Sequence, residues 1–259
     1  MYYLFRILTD VDVDQVQYEL EKKGLKDPFI IEDDSTGEKF IGGHSKKDIE
    51  SENTILVEKK QNEVNWEEQW ALFAKDFKDG KAHIQLGEKT LILTPGAGFG
   101  DLSHPTTFLM IEMMKSQVVD EPVVDIGCGS GILALSALLL GAQSAIGIDI
   151  DPAAVKHARQ NAKINDLNAR FTKKLPKNSP KGAIFLMNMI LPEQKEFNPS
   201  KLNSQAKLWL ISGIMEEQRE EYLKLTKTWN WALISEVQRS DWLGFTFSSA
   251  QPNKLKGNI

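Results

Sequence analysis

The chain has 259 residues, 41% hydrophobic and 26% charged, a composition of globular domains that excludes low-complexity disorder. Its formal net charge of −5 speaks against non-specific nucleic-acid binding and is compatible with a basic protein partner. A single cysteine, Cys128, excludes a disulfide framework and a cysteine-based zinc site within the chain.

Residues 2–9 read as a strand, and the sequence turns acidic directly after it, without the apolar core of a signal peptide. No run approaches the ~18 apolar residues of a membrane span, so the expected location is the cytoplasm. A helix is predicted from Asp14, with Val13, Val16 and Leu20 on one face and Gly24 as its stop. Residues 29–32 form a second strand, DDSTG at 33–37 a turn, and 38–41 a third strand. Residues 46–51 are too short for a good helix, and 54–59 are a fourth strand. The order β-α-β-β-(short α)-β predicts a small α+β domain over residues 1–62, resembling a trimmed ferredoxin-like unit.

Asn65 with Glu68 three residues on is a capping signature. Trp66, Trp70, Phe73 and Phe77 recur at helical spacing, so residues 63–80 are expected to form a linker helix whose aromatic stripe packs between domains. Residues 83–86 and 90–93 make a hairpin around Gly87. The glycine-rich loop TPGAGFGDLSHPTT spans 94–107, and Pro105 opens the apolar helix FLMIEMMK. From Val123 strands and helices alternate. Strands are expected at 123–126, 145–148, 169–173, 183–187 and 207–211, and helices at 132–140, 152–165, weakly near 192–197, and at 216–228. Strands at 232–237 and 245–248 close the chain. This alternation predicts an α/β fold, a parallel doubly wound (Rossmann-like) sheet over residues 81–259.

VVDIGCGSG, residues 123–131, sits where the first strand of that sheet turns into its first helix, the place where open α/β sheets bind ligands. Glycines there permit tight turning and close approach of backbone to ligand. A dinucleotide fingerprint spaces its glycines G-x-G-x-x-G. Here they are Gly127, Gly129 and Gly131, with Ile132 in the place of the third, and no Lys-Ser or Lys-Thr follows to make a phosphate-cradling loop. Asp125 before the glycines would repel phosphate and favour an ammonium or sulfonium. Asp149 ends the next strand, where a carboxylate can take both hydroxyls of a ribose. A nucleoside with a cationic tail fits this set, and S-adenosylmethionine is the candidate cofactor. No metal is called for. A nicotinamide dehydrogenase fails at the glycine spacing.

D-I-G-C-G-S-G-I-L-A followed by G-I-D-I-D-P resembles the class I methyltransferases. More narrowly, the chain resembles the PrmA-type ribosomal protein lysine methyltransferases, which modify large-subunit ribosomal protein eleven. The likeness runs from about Val64 to Trp242. It includes W-E-x-x-W, P-G-x-x-F-G-x-x-x-H-P-T-T at 95–107, N-x-I-L at 188–191 and I-S-G-I-M-E-E-Q at 211–218. The resemblance implies a class I methyltransferase sheet preceded by a small substrate-recognition domain. It implies S-adenosylmethionine as methyl donor and the amino groups of a basic ribosomal protein as acceptor, with no direct nucleic-acid or membrane partner.

By the resemblance, Thr107 touches the cofactor, Gly127 begins its loop and Asp149 holds its ribose; Asp125, Gly129 and Gly131, read from the loop itself, complete the candidate cofactor-binding set. Asn188 would lie beside the transferred methyl, touching the cofactor and accepting a hydrogen bond from the incoming amine. The other reading of Asn188 is a strand-end cap. His104 either lines the pocket or holds its loop, and is a candidate catalytic residue beside Asn188. His44, His83 and His157 are scattered and read as surface residues. Cys128 contributes backbone, not a nucleophile.

The chain departs from the family pattern at Gly100-Asp101-Leu102-Ser103, where the family usually has Gly-Thr-Gly-Thr, and its N-terminal unit is shorter. The acceptor could therefore be another protein lysine or a small amine, or the chain a non-catalytic binding module. The Asn-Pro-Pro-aromatic signature of nucleobase amine methyltransferases is absent, since Asn188 is followed by Met189, Ile190 and Leu191.

Overall fold

A computed structural model describes residues 1–33, 36–60, 76–96, 98–100, 104–177 and 179–249. The first unit contains β1 (Tyr2–Ile7), α1 (Val13–Lys23), β2 (Lys26–Glu32), β3 (Lys39–His44) and β4 (Thr54–Lys60). The sheet order is β2-β3-β1-β4, that of a ferredoxin-like sheet, and the connection from β3 to β4 carries no second helix. Helix α1 forms where expected. Asp12 caps it by accepting from Asp14 N at 2.9 Å, and Gly24 ends it at φ 108°, a left-handed value glycine adopts without penalty. Its apolar face, Val13, Val16 and Leu20, is buried with Tyr3, Phe5 and Ile41.

The predicted hairpin gains a third member. β5 (Phe77–Lys78), β6 (Lys81–Leu86) and β7 (Lys89–Leu93) form an antiparallel sheet. Phe77, the last residue of the predicted aromatic stripe, is paired with Ala82 in β5, so a linker helix cannot reach it. The rest of that helix, residues 65–75, lies outside the described residues, as do Asp101, Leu102, Ser103 and the tail 250–259.

The second unit alternates α2 (Pro105–Gln117), β8 (Pro122–Ile126), α3 (Ile132–Leu140), β9 (Ser144–Ile148), α4 (Pro152–Ile164), β10 (Ala169–Thr172), β11 (Ala183–Asn188), α5 (Leu191–Phe197), β12 (Ala206–Met215), α6 (Arg219–Thr228), β13 (Trp231–Arg239) and β14 (Trp242–Ser249). The sheet order is β10-β9-β8-β11-β12-β14-β13. The first five strands are parallel, as expected, and β14 and β13 join antiparallel, so the sheet as a whole is mixed. The predicted helix at 216–228 divides into a 3-10 turn at Glu216–Gln218 and α6.

Strand order reverses at β8, between β9 and β11, so a crevice opens at its carboxyl end, where the glycine loop begins. Helices on both faces explain the continuous apolar runs: Val123, Val124, Ile184, Phe185, Leu210 and Ile211 are all buried. Beneath the antiparallel edge Trp209 packs against Phe185, Trp231 and their neighbours, with ring centroids 4.6 and 4.7 Å apart. The two units touch through polar contacts. Trp242 Nε1 donates to Glu32 Oε2 at 3.0 Å, Lys39 pairs with Asp241 at 2.9 Å, and Gln218 donates to Asp14 at 2.5 Å. Among the described residues no helix is long and apolar enough to cross a membrane.

Candidate functional site

The glycine loop runs from β8 into α3 with Gly127, Gly129 and Gly131 all at positive φ, 69°, 50° and 82°. Any other residue would be strained at each of these positions. The loop is also crowded. A β-carbon on Gly129 would lie 2.5 Å from Phe99 O, and one on Gly98 would lie 2.4 Å from Ser130 N. Two backbone loops, 98–100 and 127–131, are therefore pressed face to face, joined by Ser130 N donating to Phe99 O at 2.8 Å and Ser130 Oγ donating to Gly100 O at 2.5 Å. The result is a cradle of bare peptide at the switch point.

Asp149, at the end of β9, reaches this loop. Its Oδ2 accepts from Gly129 N and its Oδ1 from Asp151 N, both at 2.9 Å. Burial raises its pKa above the usual carboxylate value, and these backbone donors pull it back. Each carboxylate oxygen keeps a second lone pair, so the side chain can still accept from a ribose diol.

Asp125 has a different place from the one its sequence position predicts. It is 1% exposed, and its Oδ2 accepts from Ala134 N at 3.2 Å. Gly131 gives α3 no side-chain cap, so Asp125 closes the first turn of α3 from behind the loop. Burial, then the charge of Asp149, pushes its carboxyl to about 7. It supports the cradle from beneath and does not present an open charge to a ligand. Its Oδ1, like Thr107 Oγ1, is a buried oxygen without a hydrogen-bond partner among the described residues. Thr107 is itself fully buried in the first turn of α2.

His104 is the N-cap of α2. Its Nδ1 accepts from Thr106 N at 3.3 Å and contacts Thr106 Oγ1 at 2.8 Å. Its ring is set edge-on between Phe99 and Trp242, at 5.6 and 4.9 Å. Of the two readings of His104, this geometry carries the loop-holding one.

Asn188 ends β11 opposite Ser212 of β12. It is half-buried, and its carboxamide has no hydrogen-bond partner among the described residues, which leaves it open to a ligand. The following residue, Met189, joins it to the cradle: its sulfur lies 2.9 Å from where a β-carbon on Gly127 would sit. Gly127, Gly129, Gly131, Asp149 and Asn188 thus meet at one end of the sheet, with Thr107 and His104 held against the same loop through Phe99 and α2.

The motifs do not disclose a ladder on α4. Asn165 grips both polar backbone atoms of Ile92, accepting at 2.8 Å and donating at 2.6 Å. One turn earlier Asn161 accepts from Thr94 N and Oγ1 and donates to Ser130 O. A further turn earlier His157 donates through Nε2 to Thr94 O at 2.6 Å and accepts at Nδ1 from Gly98 N at 3.1 Å. These three residues, at i, i+4 and i+8, stitch Ile92, Thr94 and Gly98 onto α4 and so hold them against the cradle. The surface reading of His157 is thereby corrected: it is 4% exposed. A signal for this exists in the sequence, because Ala154, His157, Ala158 and Asn161 recur at i+3 and i+4 spacing on one helical face.

This ladder makes a pH prediction. His157 must be neutral to accept from Gly98, and burial holds its pKa below the usual 6.5. The unfolded chain protonates first, so the contribution of His157 is full above 6.5 and is lost as pH falls through the lower folded value. Asp125 works in the opposite sense: at about 7 in the fold against 3.8 unfolded, it costs stability as pH rises through that window. Comparison with His157→Ala separates the two. On acidification from about pH 7.5 to about pH 5.5 the melting temperature of the native chain should fall relative to that of the variant. Parallel curves would show that His157 is not held neutral.

Glu193, on α5, is exposed on one flank, so water screens it and only the direction of its shift bears on the site. That direction is upward, caused first by burial of the carboxyl and then by Glu21, Asp149 and Asp14.

The profile of the family described as ribosomal protein L11 methyltransferase (PrmA) matches residues 11–250. A ribosomal protein L11 methyltransferase of Escherichia coli O8 is 38% identical over 162 residues, 60% of this chain and 55% of the relative. One of Tolumonas auensis is 38% identical over 158 residues, 59% of this chain and 54% of the relative. The chain thus spans about half the length of the curated relatives it matches. Among solved structures, a ribosomal protein L11 methylase from Lactobacillus delbrueckii subsp. bulgaricus superposes with a TM-score of 0.56 at 26% identity, covering 61% of this chain and 84% of that one. The yhhF protein of Escherichia coli shares the fold, with a TM-score of 0.50 at 19% identity over 66% of this chain and 100% of that one.

Proposed function

From the premise that this chain belongs to the PrmA family of ribosomal protein L11 methyltransferases, we propose that it transfers methyl groups from S-adenosylmethionine to amino groups of a basic ribosomal protein in the cytoplasm. The observation that carries the reading is the cradle: three positive-φ glycines whose backbone is reached by the Asp149 carboxylate, beside a half-buried Asn188 with its carboxamide uncommitted.

The residues fit the cofactor. Gly127, at the head of the loop, is exposed and has no side chain to keep a ligand from its backbone. Asp149 supplies the diol acceptor, and Thr107 Oγ1 is a buried hydroxyl with no hydrogen-bond partner among the described residues. When bound, S-adenosylmethionine supplies an electrophilic methyl carbon on a sulfonium, so the protein's share of the work is positioning and desolvation. The acceptor must arrive as a neutral amine, since an ammonium has no lone pair, and the ordinary lysine pKa of ~10.4 disfavours that at neutral pH. The half-buried end of β11 favours the uncharged amine. Asn188 Oδ1 would accept from the remaining N–H and aim the lone pair at the methyl.

Incubation with methyl-labelled S-adenosylmethionine and ribosomal subunits, followed by mass spectrometry, tests the reading. Label is expected on amine nitrogens of one small basic ribosomal protein. Asn188→Ala is expected to lower kcat by about tenfold to a hundredfold while the cofactor Kd, by calorimetry, changes little. Cofactor binding with no label on any ribosomal protein would overturn the acceptor assignment, and a selective loss of cofactor affinity in Asn188→Ala would overturn the role given to that residue.

A further inference from the structure

Gln194 is a polar side chain with no exposure at all, placed one turn into the short helix α5. Its amide is fully used. Nε2 donates to Met189 O at 2.6 Å and to Ser212 O at 3.0 Å, and Oε1 accepts from the Tyr222 hydroxyl at 2.6 Å. Tyr222, on α6, is also fully buried, and burial pushes its phenol well above its usual range, so it stays a donor. The two carbonyls it secures are special ones. Met189 directly follows Asn188, and Ser212 is the strand partner of Asn188. Where β12 bulges past Ser212, Gly213 leaves only bare backbone against Met189 O. Met189 also packs on Gly127 of the cofactor cradle. One carboxamide therefore ties together the end of β11, the bulge of β12 and the outer helix α6.

Two coplanar donors and one acceptor on a single side chain match this need, and the side chain of Gln194 supplies them. A glutamate would offer no donor to either carbonyl when ionised, and a leucine would orphan all three partners. We propose that Gln194, oriented by Tyr222, is a positioning residue for methyl transfer: it fixes the Met189 peptide and thereby the direction in which Asn188 faces. The inference rests on the function proposed above. It concerns Gln194 and Tyr222 behind Asn188, both of which are fully buried.

The test compares Gln194→Leu, Gln194→Glu and Tyr222→Phe in the full chain. Gln194→Leu is expected to lower kcat about tenfold or more, with the cofactor Kd unchanged within about threefold. Tyr222→Phe, which removes one hydroxyl and keeps the ring packing, should act in the same direction more weakly. In an Asn188→Ala background Gln194→Leu should lower kcat no further, because it acts through Asn188. Hydrogen–deuterium exchange of peptides covering 187–191 and 211–215 should quicken in the Gln194 variants. Additive losses of kcat in the double variant, or unaltered exchange at 187–191, would overturn the proposal. If Gln194→Leu does not fold, Tyr222→Phe decides by the same exchange and double-variant readings. If the native chain transfers no methyl to ribosomal protein, the functional reading fails by itself, and exchange at 187–191 still decides whether Gln194 fixes that peptide.

Discussion

Gly213→Ala is expected to remove nearly all methyl transfer while the chain still folds. Gly213 has φ 88°, and a β-carbon there would lie 2.2 Å from Met189 O and 2.6 Å from Met189 C. Backbone atoms cannot swing aside as the end of a long side chain can, so either the β12 bulge or the Asn188–Met189 peptide must move. Misplacing a reacting group by about 1 Å can cost about a hundredfold in rate, and a fall of at least that size in kcat is expected. The left-handed conformation alone costs a non-glycine residue about 1–2 kcal/mol, or roughly 2–8 °C of melting temperature for a chain of this size. Gly141→Ala is the matched control. Gly141 has φ 106° with nothing within 4 Å of its β-carbon position, so it should show the stability loss without the loss of turnover. Native turnover in Gly213→Ala would mean that the two loops do not meet as described.

Asp149→Ala is expected to weaken the cofactor about a hundredfold or more. The substitution removes the proposed acceptor for the ribose and also the acceptor that seats Gly129 N at 2.9 Å. Hydrogen bonds to a charged partner contribute about 1.5–3 kcal/mol each, and about 1.4 kcal/mol is a factor of ten in Kd. Asp149→Asn keeps one acceptor oxygen and should fall between the two. Because burial raises the pKa of Asp149, cofactor affinity should begin to fall on acidification at a higher pH than an ordinary carboxylate would give. Calorimetry that finds full affinity in Asp149→Ala would place the nucleoside elsewhere. It would also remove the basis for the proposed activity.

Much of the site is legible in the sequence. The spacing of Gly127, Gly129 and Gly131 at a strand-to-helix turn, and a carboxylate closing the next strand, are local signals, and in the fold they meet. Asp125 is legible as important, but its sequence position does not reveal that it turns beneath the loop to cap α3. His104 stands between two readings in the sequence, and the packing of its ring on Trp242, 138 residues later in the chain (242 − 104), supports the loop-holding one. His157 reads as a surface residue because isolated histidines are mostly exposed, whereas the helical face it shares with Ala154, Ala158 and Asn161 places it inside.

The sequence by itself determined the order of the elements, the periodicity of each helix and the places where only glycine can turn, because torsion angles and amphipathic faces are set by near neighbours. Tertiary structure alone decided which buried polar groups serve the site. The partners of His157, Asn161 and Gln194 are mostly backbone atoms outside their own helices, with Thr94 lying 63 and 67 residues before His157 and Asn161. A buried amide or imidazole is tolerable only once its partners have been brought to it. That demand is met by the packing of α4 and α5 against the loops, which no local pattern encodes.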